Sequence, residues 1–197
     1  RDIAAYIGNL LADRYSVAYA TDGEDGLQKA IDLVPDLIIT DLMMPGMDGL
    51  ELCRRVRANN VVNHIPIVIV TAKVSEQERI EGIEAGADAY LAKPFNVDEL
   101  RSMVERLLDH QRALRSKYSD NADTANKETT EVKLTDAERR FLAKTVDYIY
   151  LLLDKQQLDV NSLADKLCMS SRQFHRKIVA ITGSSPSSFM LKIKMKR

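Results

Sequence analysis

The chain has 197 residues, 45% of them hydrophobic and 29% charged, with 8 Gly and 5 Pro, a balance that excludes a disordered or collagen-like chain and leaves room for one or two folded domains. No run of about 18 apolar residues is present, which excludes a helical membrane span, and no basic segment followed by an apolar run marks a signal peptide. The net charge of −1 hides an asymmetry: residues 1–117 carry 14 basic and 19 acidic side chains, residues 118–165 carry 6 and 10, and residues 166–197 carry 8 and none. An acidic body with a basic tail suits a tail that meets a polyanion, although a solvated basic helix face has the same composition.

In chain order, residues 1–12 have the apolar spacing of a helix, and the opening Arg1 in place of Met reads as a piece cut from a longer chain. Short β-branched runs at 16–19, 36–40, 65–70 and 89–91 then alternate with helical patterns at 24–33, 50–59, 75–85 and 97–117. This alternation predicts βαβ units and a parallel sheet. Leu37-Ile38-Ile39 and Ile67-Val68-Ile69-Val70 are apolar on both faces, as interior parallel strands require, and Gly86 reads as a helix stop. A doubly wound sheet normally opens on a strand, and here one is missing at the front. Residues 118–135, rich in Ser, Asp, Asn, Thr, Lys and Glu, read as a linker. Beyond it no strand pattern recurs. Thr135 or Asp136 caps a helix over 137–154, two shorter helices follow at 160–167 and 171–181, and Gly183-Ser184-Ser185-Pro186 precedes a last amphipathic stretch over 187–197. Cys53 and Cys168 lie within apolar-periodic stretches with no CxxC or HExxH pattern, and both are read as reduced core thiols.

Two groups of residues carry chemistry. In open α/β sheets, ligands bind outside the carboxyl ends of the strands. There the sequence delivers Asp41 before a Pro/Gly loop, Thr71 after the run 67–70, and Lys93 just beyond 89–91. A carboxylate, a hydroxyl and an ammonium on one rim suit phosphoryl transfer, with the carboxylate as nucleophile; a salt-bridged sheet edge is the plain alternative. In the second group, residues 160–181 place two short helices around a brief turn, the layout that sets a second helix into a DNA major groove. On that second helix Phe174, Ile178 and Ile181 share a core-facing side, leaving Arg172, Gln173, His175, Arg176 and Lys177 as candidate DNA contacts. Arg and Gln suit base edges, and Lys177 and Lys166 suit phosphates.

Three separated motifs, Asp41-Leu42-Met43-Met44-Pro45-Gly46-Met47-Asp48-Gly49, Thr71-Ala72 and Tyr90-Leu91-Ala92-Lys93-Pro94-Phe95, resemble the receiver domain of two-component response regulators over residues 1–117. The resemblance implies a CheY-like doubly wound parallel sheet lacking its first strand. It implies that Asp41 accepts a phosphoryl group from a histidine kinase and that Lys93 and Thr71 contact the phosphoryl oxygens. It further implies a Mg²⁺ held by Asp41 and the Met43 backbone carbonyl, a switch formed by Thr71 and Tyr90, and a commonly cis Lys93–Pro94 bond. The acidic pair that holds Mg²⁺ in the family precedes the position matched by Arg1-Asp2-Ile3, so metal binding and phosphate acceptance are expected to be impaired. The missing strand would lie inside the sheet, which predicts instability or pairing with another chain.

Val160-Asn161-Ser162-Leu163-Ala164, Met169 through Lys177 and Thr182 through Pro186 resemble the first helix-turn-helix of AraC-type transcription regulators, with Arg197 at the start of the path to the second. This implies a small all-α DNA-binding domain over 136–197. With one motif of two, its binding is expected to be weak. A receiver followed by such a domain is similar to the C-terminal part of hybrid two-component proteins. The expected function is therefore a cytoplasmic, phosphorylation-controlled transcription regulator, with a histidine kinase domain and DNA as partners and a homodimer as a further expectation. The fragment itself is expected not to be an enzyme, and its parent chain to be a hybrid histidine kinase. Two alternatives stand beside it: a docking module that accepts no phosphate, and a phosphatase with an aspartyl-phosphate intermediate. Met43, where haloacid-dehalogenase-like enzymes carry a second Asp, argues against the last.

Overall fold

The computed structural model describes residues 2–72, 76–119 and 134–195. The chain divides into two compact units, residues 1–59 with 65–107 and residues 60–64 with 108–197.

The first unit contains α1 (Asp2–Leu11), α2 (Gly23–Leu33), β1 (Ile38–Asp41), α3 (Gly49–Ala58), β2 (Ile67–Thr71), α4 (Glu76–Ala85), β3 (Ala89–Ala92) and the beginning of α5 (Val97–Ser119). The strands form a parallel sheet in the order β1-β2-β3, with Asp41 opposite Val70 and Thr71 opposite Ala92. β2 lies in the middle and is buried throughout, which is why Ile67–Val70 can be apolar at every position. Leu52, Cys53 and Val56 of α3 and Leu100 and Val104 of α5 belong to the same buried core. The helices begin where the sequence supplies caps: the Asp22 carboxylate accepts from the Asp25 N–H at 2.9 Å and that of Asp48 from the Glu51 N–H at 2.8 Å.

One predicted strand is not a strand. Residues 16–20 carry no ladder, because a β-branched run becomes a strand only where a neighbour takes up its backbone groups. Among the described residues β1 pairs only with β2, and Ile38 and Ile39 remain half-buried on the other edge. The Tyr19 carbonyl instead accepts from Lys29 Nζ at 2.8 Å.

Arg57 holds the opposite end of the sheet. Its guanidinium donates to the Gly86 carbonyl (2.8 Å), the Ile65 carbonyl (2.7 Å) and Asp88 Oδ2 (2.6 Å), and the last also accepts the Ile67 N–H at 2.7 Å. One planar fork thus joins the end of α3, the turn after α4 and the starts of β2 and β3.

The second unit contains α6 (Asp136–Asp154), α7 (Val160–Lys166), α8 (Ser171–Thr182) and α9 (Pro186–Met195). Thr135 rather than Asp136 caps α6, through a reciprocal capping box with Glu138, and Ser170 with Gln173 does the same for α8. Gly183 ends α8 in the left-handed region at φ 67°. Phe141, Ile149, Leu163, Phe174, Ile178 and Ile181 form the core, with the Phe141 and Phe174 ring centroids 6.5 Å apart. Of the predicted linker, residues 118 and 119 belong to α5 and residues 134 and 135 lead into α6; residues 120–133 lie outside the described residues, as does Arg197. Cys53 is buried as expected, but Cys168 is exposed. It follows α7 in the left-handed region at φ 56°, with its N–H on the Asp165 carbonyl at 3.0 Å, and lies outside any helical face.

Candidate functional site

Asp41 is the last residue of β1, Thr71 the last of β2, and Lys93 follows β3 directly. Parallel pairing brings these three ends to one rim, and the Lys93 N–H donates to the Thr71 carbonyl at 2.7 Å. The Lys93 ammonium reaches Asp41 Oδ2 at 2.5 Å, and the two side chains keep 25% and 24% of their surface exposed. The second carboxylate oxygen, Oδ1, accepts the Met43 N–H at 3.3 Å. The site thus offers an accessible carboxylate with a cation already beside it, where negative charge on a transferred group would be met at once. Thr71 is buried at the end of its strand. The Lys93–Pro94 bond is cis.

The loop after Asp41 is folded by residues to which the motifs assign no chemistry. Gly49 opens α3 and donates its N–H to the Leu42 carbonyl at 2.9 Å. A Cβ at this position would stand 2.5 Å from the Asp41 carbonyl oxygen and 3.0 Å from the Leu42 Cα, so only glycine lets the start of α3 close on the end of β1. Gly46 takes φ 75° at the tip of the loop, and Met43 is 81% exposed beside the carboxylate. The dipeptide Asp48-Gly49, an N-cap followed by a residue without Cβ, is the signal that the sequence offers for this closure.

For a Mg²⁺ ion the donor set is thin. At this rim the described residues supply the Asp41 carboxylate, already engaged by Lys93, and backbone carbonyls such as that of Met43. Among the described residues no group of three His, Cys, Asp or Glu side chains is placed to hold a metal. Mg²⁺ asks for near-octahedral oxygen ligation from one or two carboxylates, with waters and phosphate oxygens completing the shell, so a single carboxylate already engaged by Lys93 is the least that could hold it. Asp22 and Asp25 do not help, since the first caps α2 and the second is bound by the Thr21 N–H and Lys29 Nζ, both at 2.8 Å. Lys29 and the Thr21 contacts hold the Asp25 carboxyl below its ordinary range.

Tyr90 lies in β3, half-buried, and its hydroxyl is buried with no hydrogen-bond partner among the described residues. Burial raises its phenol above the ordinary value. Burial also pushes the Cys53 thiol up to about 11, which makes it an inert core group.

Of the candidate DNA contacts on α8, Arg172 and His175 are exposed and Arg176 is half-buried. Gln173 spends its side-chain oxygen on the Ser170 N–H at 2.9 Å, inside the capping box. Lys177 is not on the open face: it is 1% exposed within the second unit, donating to the Asn60 carbonyl and to Asn63 Oδ1 (2.8 Å), with Nζ 4.6 Å from the Phe141 ring centroid. Its position, three residues after Phe174 and one before Ile178, turns it toward the core side of α8. Desolvation lowers it from 10.5 to about 8, against the opposing charge of Glu138. The starts of α7 and α8 are joined by Ser171 Oγ on Asn161 Oδ1 at 2.5 Å.

A parallel α/β unit with an aspartate, a buried threonine and a lysine at successive strand ends defines a receiver-type domain. The chain belongs to the response regulator receiver domain family, whose model matches residues 1–105. It is 32% identical over its whole length to histidine kinase P4 of Formosa agariphila, of which it covers 14%. It is also 35% identical over 147 residues, 75% of its length, to the response regulator ArlR of Staphylococcus aureus, of which it covers 65%. Among solved structures, the receiver domain of the sensor histidine kinase PA1611 from Pseudomonas aeruginosa, with a magnesium ion coordinated in its active site cleft, shares 29% identity and a TM-score of 0.52 over 55% of this chain and 91% of that one. Among the described residues no helix is long and apolar enough to cross a membrane.

Proposed function

We propose that this chain is a phosphorylation-controlled signalling module in which Asp41 accepts a phosphoryl group from a histidine kinase and residues 136–197 act as an AraC-type DNA-binding unit. The observation that carries the first half is the accessible Asp41 carboxylate with Lys93 at 2.5 Å on the rim where Thr71 ends. In the transfer, an Asp41 oxygen forms a bond to phosphorus as the bond from phosphorus to the donor imidazole nitrogen breaks, and that nitrogen leaves with the electron pair. Lys93 then neutralises phosphoryl oxygens, and Thr71 supplies a hydroxyl to one of them. No turnover is assigned to the chain itself.

The second half is supported by the α7–α8 pair, by Arg172, His175 and Arg176 on the open side of α8, and by the absence of acidic residues from 166 to 197. Similarity over the full chain to a much longer histidine kinase supports an origin in a hybrid kinase. Cytoplasmic placement and a receiver-mediated homodimer belong to the same proposal.

A second reading, a docking module that accepts no phosphate, is favoured by one observation: among the described residues the rim offers a single carboxylate, which leaves Mg²⁺ poorly held. Intact mass after incubation with acetyl phosphate separates the two. The proposal expects one phosphoryl group on the chain and none on Asp41→Asn, whereas an unmodified chain supports docking. DNA retention that falls steeply with salt tests the helical unit, and salt-independent or absent retention rejects it.

A further inference from the structure

We propose that Gly82 is the seat of Tyr90: lacking a Cβ, it opens on α4 the space that the Tyr90 hydroxyl fills, and so sets the ring's position and ties β3 to the last turn of α4. A Cβ built on Gly82 would lie 0.9 Å from the Tyr90 hydroxyl oxygen and 2.2 Å from Cζ, which means that ring and Cβ exclude each other. Glycine within a helix weakens it, so a glycine here needs a compensation, and the ring packed on its Cα supplies one.

The seat is built into a fixed helix end. The Gly82 carbonyl accepts the Ala87 N–H at 2.9 Å and the Ile83 carbonyl accepts the Gly86 N–H at 3.0 Å, with Gly86 at φ 91°. This is the two-bond closure of a helix ending in a left-handed glycine. Any displacement of the ring therefore acts on a defined element, the last turn of α4. The seated hydroxyl itself is buried. Any use of such a displacement as a signal rests on the phosphoacceptor reading above; the seat itself does not.

The test uses the 197-residue chain labelled with 3-fluorotyrosine, the Tyr90 fluorine resonance being the one that disappears in Tyr90→Phe. In Gly82→Ala that resonance is expected to move to the position of a solvent-exposed 3-fluorotyrosine, with its titration midpoint falling toward that of the exposed labelled tyrosines while the other resonances stay. An unmoved Tyr90 resonance overturns the proposal. Thermal midpoints give an independent readout: Gly82→Ala should lower the midpoint of the otherwise native chain and raise it in a Tyr90→Ala background. A rise in both backgrounds, or a fall in both, overturns the seat. Where Gly82→Ala alone does not fold, recovery of folding by Tyr90→Ala supports it and failure to recover rejects it. All of these readings are taken without a phosphodonor, so a chain that never gains a phosphoryl group would sink the phosphoacceptor reading and leave the seat standing or falling on its own results.

Discussion

Replacing Lys177 with Met should flatten the dependence of stability on pH in the alkaline range. The folded chain holds the Lys177 ammonium at 1% exposure, and burial lowers it from 10.5 to about 8. Below pH 8 both folded and unfolded chains carry the proton, and the full cost of burying it stands. Between pH 8 and 10.5 the unfolded chain binds a proton that the folded chain has released, so stability rises with pH. At about 1.36 kcal/mol per pH unit, the rise between pH 8 and 9.5 is about 2 kcal/mol. Lys177→Met keeps the length of the side chain but has nothing to release. The loss of the bonds to Asn60 and Asn63 and of the Phe141 contact offsets the variant's stability at neutral pH, so the sign at pH 7 alone decides little. The difference between the two proteins, measured by urea unfolding with circular dichroism at pH 7 and 9.5, cancels the titration of tyrosines and cysteines common to both. It should move by about 2 kcal/mol in favour of the wild type at the higher pH. Parallel profiles would refute the reasoning, since Lys177 would then be solvated in the folded state.

Arg57→Lys keeps the charge but cannot span the Ile65 and Gly86 carbonyls and Asp88 together, and it should lower the unfolding free energy by about 2 kcal/mol in denaturant titrations; a loss within experimental error would show that the fork is ornamental. Gly49→Ala places a Cβ 2.5 Å from the Asp41 carbonyl, and the shift it forces should slow phosphorylation by acetyl phosphate about tenfold or more. An unchanged rate there would mean that α3 does not position the acceptor. Because one carboxylate fits Mg²⁺ poorly, exchanging Mg²⁺ for EDTA should change the phosphorylation rate of this chain by no more than about twofold. A collapse of the rate in EDTA would show that the rim binds the ion after all.

The parts of the fold that are legible in the sequence are those decided locally. β2 follows from Ile67-Val68-Ile69-Val70, four apolar residues that only a two-sided burial explains, and the helix starts follow from caps such as Asp48, Thr135 and Ser170. Asp41, Thr71 and Lys93 can be placed on one rim because parallel strands deliver their ends to the same side. What is illegible depends on a partner. Residues 16–20 have the composition of a strand but no ladder among the described residues. Lys177 reads as a phosphate contact from its charge, and its position among Phe174 and Ile178 decides otherwise. Gln173 reads as a base contact, yet Ser170 three residues earlier already claims its oxygen. Gly82 gives no signal at all, because a glycine inside a helical pattern looks like a defect until the Tyr90 hydroxyl is seen above it.

In the proposed function, Asp41 is the group that accepts the phosphoryl. Incubation with acetyl phosphate, reduction with borohydride and peptide mapping reads it directly, because an aspartyl phosphate is converted to homoserine at the residue that carried it. Homoserine is expected at position 41, and is expected to be absent when the phosphodonor is omitted. Label at any other carboxylate, or none in a chain whose fold is intact, would contradict it.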